Sequence, residues 1–86
     1  MQRLRNSLRQ QRRRWHLAIH RARLSIEYIR GMRHAAARRA SDEPALAALY
    51  REAAEHVIAR LPETRAHVHA LRRRVVALEA AIARDA

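Results

Sequence analysis

The sequence predicts an all-α protein: a long helical hairpin whose second arm is kinked at Pro62, giving two or three helices, with assembly into a helical bundle or coiled-coil oligomer. Three observations predict it. Ala and Arg, both strong helix formers, contribute 19 residues each to a chain of 86. β-Branched residues never cluster beyond Val75-Val76, and no alternating stretch reads as a strand. The clearest boundary, Ala40-Ser41-Asp42-Glu43-Pro44, carries the chemistry of a chain reversal. The length allows a single domain, residues 1–86, with a thin core. There is no cysteine, so disulfides, thiol catalysis and thiol redox switching are excluded.

The first arm runs over about residues 2–39. Leu4, Leu8, Trp15, Ile19, Ala22, Ile26 and Ile29 recur at spacings of three, four or seven and share one core-facing stripe. Leu17, Leu24 and Tyr28 form a second apolar face. A helix apolar on two sides is sandwiched between two neighbours, and a hairpin supplies only one. Gly31, the only glycine, is flanked by strong helix formers, so the helix should pass through it as a weak point or a place of close approach.

Ser41 or Asp42 can cap the next helix, and Pro44 is tolerated in its first turn. A turn this short makes the arms antiparallel. The second arm opens with Leu46, Leu49, Tyr50, Ala53, Val57, Ile58 and Leu61, and Pro62 should then produce a kink or corner. Beyond it Val68, Leu71, Val75, Leu78 and Ile82 alternate at spacings of three and four. That heptad pattern suits packing within a bundle or a zipper between chains, with Arg74 and Glu79 placed to pair across chains. Leu17, Leu24, Tyr28, Val68, Leu71, Val75, Leu78 and Ile82 are therefore the expected assembly interface. A fold about residue 41 opposes positions adding to about 83: Ile26 with Val57, Trp15 with Val68, Leu8 with Val75.

Charge divides the chain sharply. Residues 1–40, the basic arm, hold 12 Arg and one acid, Glu27, for a net of +11. Residues 41–86, the core and assembly arm, hold seven of each and are neutral. Such asymmetry points to a polyanionic partner: nucleic acid, an anionic membrane or an acidic protein surface. Nucleic acid, DNA or RNA, met through its phosphates is the leading expectation. The expected contacts are Arg5, Arg9, Arg12, Arg13, Arg14, Arg21 and Arg23 on the first arm, joined by Arg72, Arg73 and Arg74 on the second. Arginine clusters on neighbouring arms repel each other without an anion between them, which suggests one shared site. Three aromatic residues, Trp15, Tyr28 and Tyr50, are too few for a base-stacking platform.

Gln10-Gln11-Arg12-Arg13-Arg14-Trp15 resembles the arginine-rich motifs of viral and phage RNA-binding helices. The resemblance is confined to this segment. It implies groove binding, with Arg12, Arg13 and Arg14 on phosphates or base edges.

Other chemistries are weakly supplied. His16 and His20 are four residues apart with Glu27 on the same face, but Arg13 and Arg23 crowd that face and oppose a dication, so no metal site is expected. There is no Gly-rich phosphate loop and no nucleophile with an evident His and acid partner, so neither catalysis nor a cofactor is expected. Protonation of the six His on acidification would add positive charge. No apolar run approaches ~18 residues, and Arg interrupts every potential signal-peptide core. A cytoplasmic protein is expected, bound to nucleic acid as a homo-oligomer or within a larger protein complex, and not to a membrane. The alternative function is a small helical adaptor, accessory subunit or chaperone inside such a complex.

Overall fold

The structure, a computed structural model, describes residues 2–85. Two helices, α1 (Gln2–Arg39) and α2 (Pro44–Asp85), form one extended antiparallel hairpin measuring 65 × 15 × 14 Å. The 42 residues of α2 rise about 63 Å at 1.5 Å each, so the molecule is as long as one uninterrupted helix. No strand occurs among the described residues.

α2 passes through Pro62 without a break, which corrects the expected corner and removes a third helix. Proline removes only its own N–H bond to the carbonyl one turn back, at Ile58, and its ring lies on the exposed side. Thr64 Oγ1, nearby, donates to the Arg60 carbonyl at 3.1 Å. α1 likewise runs through Gly31, as expected. Nothing lies within 4 Å of where a Gly31 Cβ would stand, so no close approach requires the glycine.

The reversal is made without any left-handed residue. The Glu43 N–H donates to the Arg39 carbonyl at 2.8 Å, and the Ala47 N–H donates to the Glu43 carbonyl at 2.9 Å. Glu43, immediately before Pro44, therefore holds the N-cap position expected of Ser41 or Asp42. The first of these bonds has a larger effect. It carries the chain one further helical turn past Arg39 before it doubles back. The point of reversal moves from about 41 to about 43, and opposed positions add to roughly 87 rather than 83. Gln2 then stands level with Asp85, the two helix ends. Arg39 stacking over the Tyr50 ring at 5.2 Å and Arg12 reaching Glu79 are the long-armed contacts of this shifted register.

Burial follows a spacing of three and four along both helices. On α1 the seam is Leu4, Leu8, Gln11, Trp15, Ala18, Ala22, Ser25, Ile29, Met32 and Ala36; on α2 it is Ala47, Tyr50, Ala54, Val57, Leu61, Thr64, Val68, Leu71, Val75, Leu78 and Ile82. All are buried or half-buried. A seam of period 3.5 drifts around a helix of period 3.6 unless the helices coil gently about each other. The expected stripe on α1 was straight, and it overshoots at Ile26, which is exposed. Two seam residues are hydroxyls bonded to their own helix: Thr64, as above, and Ser25, whose Oγ donates to the Arg21 carbonyl at 3.1 Å.

The repeat in α2 is thus filled by the chain's own first arm. Leu71 and Val75, expected at an interface between chains, are each only 2% exposed in the single hairpin. Their apolar surface is already consumed on α1, because a buried side chain has none left to offer.

Candidate nucleic-acid interface

Folding changes the meaning of the charge split. The shifted register lays α1 up to about residue 23 against α2 from about residue 64, at the end of the rod opposite the turn. Residues 2–23 and 64–85 together hold 13 Arg and two acids, Glu79 and Asp85, for a net of +11. Residues 24–63, the turn end, hold six Arg and six acids and are neutral. The division lies between the two ends of the rod and not between its two arms. Arg65, Arg72, Arg73, Arg74 and Arg84, from the arm that is neutral in sequence, join the basic end. Helical geometry alone does this, since the arms are antiparallel and of nearly equal length.

Within that end the arginines are exposed and point in several directions. Arg14, Arg21 and Arg74 line one groove between the helices, about 450 Å³ in volume, with Leu17, Ala18 and Leu71 on its walls. Glu63 and His67 also border it. Arg72 and Arg73 lie apart from it, on α2, around a shallow apolar recess with Val76 and Ala77. Arg9 and Arg13 share a third surface on α1 with Asn6 and Gln10. The structure therefore brings Arg74 alone of its triplet to Arg14 and Arg21. Arg5 and Arg23 are exposed on α1 and border none of these grooves.

Arg12 is engaged within the fold. Its Nη2 lies 3.4 Å from Glu79 Oε2, the only ion pair among the described residues. Glu79 is thereby committed within the chain, where the heptad pattern had offered it for pairing with Arg74 of another. No described side chain is a buried charge, and the other arginines of this end are exposed and outside any ion pair. The first turn of α1 contains no acid, but the C-terminal turn of α2 stands level with it, so the two helix dipoles oppose each other and the arginines supply the charge of this end.

The Trp15 ring lies in the seam, 5.5 Å from the His16 ring, and Trp15 Nε1 and Gln11 Oε1 are buried without a hydrogen-bond partner. No three His, Asp or Glu side chains gather at one point among the described residues. No described helix is long and apolar enough to cross a membrane.

Fold and site together define a class: an antiparallel helical hairpin with one strongly basic end. The chain matches no protein-family model, no curated protein and no solved structure.

Proposed function

We propose that this is a non-catalytic nucleic-acid-binding protein that lays its basic end along a phosphate backbone. The observation that carries the reading is the division of the rod into a +11 end and a neutral end. Twenty-two residues of helix give that end a length of about 33 Å, comparable to one turn of B-form duplex. Its arginines point several ways, so a single duplex meets only part of them. Five or six phosphate contacts would give a logarithmic salt slope of about −5. Contacts of this kind bind without reading sequence.

The test is direct. Arg12, Arg13 and Arg14 are replaced together by Gln, and affinity for duplex DNA and for structured RNA is measured against salt. The parent should bind at moderate salt, and the variant's slope should shrink by about one to two, because Arg12 is already engaged by Glu79. A parent that binds neither polymer, or a slope that does not move, rejects the reading.

A second reading, a helical adaptor or accessory subunit within a larger complex, is favoured by the exposed side chains of Leu17, Leu24 and Tyr28. Light scattering separates the two. A stable oligomer that binds nucleic acid unaided supports the first; a lone chain that aggregates until a partner protein is added supports the second.

A further inference from the structure

The single hairpin is under-buried for its size. It exposes 6753 Å², whereas a folded monomer of 10.0 kDa exposes about 5,200 Å². Its radius of gyration is 19.3 Å, against about 12 Å for a compact chain of this length. Nine of the described residues are buried, and five of them are alanines. That surface is about 1,500 Å² more than a compact chain of its mass exposes.

Much of the exposed apolar surface lies on one side. Leu17, Leu24, Tyr28 and Leu49 are 45–60% exposed. Residues 17, 21, 24 and 28 repeat at four, three and four, forming a second heptad stripe on α1 beside the one that packs on α2. Leu49 stands two heptads before Glu63, and Glu63 lines the same groove as Leu17. One side of a rod 65 Å long and 15 Å wide presents roughly 1,000 Å² per protomer, and about 2,000 Å² in a pair meets the size of a stable interface.

We propose that this face docks a second copy of the chain, antiparallel, so that the dimer carries its basic ends at opposite poles. Charge sets the orientation. A parallel pair would lay one +11 end on another, whereas an antiparallel pair lays it on the neutral end. That end carries six acids, none of them in an ion pair. A two-fold axis between residues 22 and 23 sets Leu17 against Tyr28 of the second copy and Leu24 against the aliphatic stem of Arg21. Arg3 comes level with Asp42 of the second copy. Such an interface is self-complementary and closes at two chains. Pairing covers the groove of Arg14, Arg21 and Arg74, so a dimer of this shape bridges two polyanion segments through arginines away from that face, such as Arg9, Arg72 and Arg73. That consequence rests on the nucleic-acid reading; the dimer does not.

Because the chain has no cysteine, single substitutions report the pairing cleanly. Sedimentation of the parent without nucleic acid should give twice the chain mass. Leu24→Glu, and separately Leu49→Glu on the other helix, should halve it while circular dichroism stays helical. An equimolar mixture of Leu17→Cys and Tyr28→Cys should form a mixed disulfide, and neither variant should link to itself. Bead-tethered duplex loaded with parent should capture a second, labelled duplex. Leu24→Glu should still bind the tethered duplex and lose the capture. A monomeric parent, an assembly larger than two, or self-linking of Leu17→Cys overturns the proposal, even where nucleic acid is bound. A dimer that binds no nucleic acid keeps the pairing and rejects the bridging.

Discussion

Arg12 Nη2 and Glu79 Oε2 meet at 3.4 Å across the hairpin, joining the basic arm to the only acid that lies between the last arginine triplet and Arg84. Both side chains are about half exposed, so the pair contributes little to stability. Its larger effect is to withhold one arginine from any external anion. Glu79→Gln should therefore lower stability by less than about 0.5 kcal/mol in urea denaturation. The same change should tighten duplex binding several-fold at low salt and steepen the salt slope by about one. Weaker binding would show that Glu79 positions Arg12 for contact.

The five arginines contributed by α2 distinguish a basic end from a basic arm. Arg72→Gln combined with Arg73→Gln should reduce the salt slope by about one to two units. Arg30→Gln combined with Arg33→Gln removes the same charge from the basic arm but at the neutral end. That pair should change the slope by less than about half a unit. If the two pairs exchange effects, the contact surface follows the arm and not the end. Anisotropy titrations at several salt concentrations decide it.

Much of this could be read from the residues, and the failures share a physical cause. Alanine and arginine content, the 40–44 boundary and the repeat at Val68, Leu71, Val75, Leu78 and Ile82 are enough to specify an antiparallel pair of long helices. The same repeat runs on through Ala47, Ala54 and Thr64, where small or polar residues hide it. On α1 the seam passes through Gln11, Ala18 and Ser25, and strongly apolar Ile26 lies off it. Apolarity marks the seam only where the two helices are held apart by large side chains. The register slipped because periodic patterns match equally well one turn along. The bond from the Glu43 N–H to the Arg39 carbonyl decides it, and no residue type there announces that bond. The basic end was hidden for the same reason, since it exists only once the register is known.

Two backbone positions carry penalties that the fold does not need. Gly31 sits inside α1 with open space where its Cβ would be. Gly31→Ala should stabilise the hairpin by about 0.5–1 kcal/mol, chiefly by restricting the unfolded chain. Pro62 sits exposed inside α2 and denies one helical hydrogen bond. Pro62→Ala should add about 1–3 kcal/mol. Neither change should alter duplex affinity. A loss of stability at position 62 would reveal a bend that the packing of Leu61 and Thr64 depends on.

Gln11 and Trp15 lie one turn apart on the seam of α1, and each buries a polar atom with no partner in the protein: an acceptor, Gln11 Oε1, and a donor, Trp15 Nε1. An unpaired buried group costs about 1–3 kcal/mol relative to its hydrated state. Gln11→Leu removes the acceptor, keeps most of the side-chain volume and places an apolar residue between Leu8 and Trp15 on the seam. Denaturation should show a gain of about 1–2 kcal/mol. Trp15 is the only tryptophan, so its emission reports the same site and should shift to shorter wavelength as the surroundings become drier. Gln11→Ala removes the acceptor too but leaves a void, so it should gain less or lose. A lower stability for the Leu variant, with emission moving to longer wavelength, would mean that Gln11 is satisfied in solution through Trp15 or a bridging water. Gln11 would then act as a polar seam residue that fixes register at the basic end, the role such residues play in paired helices.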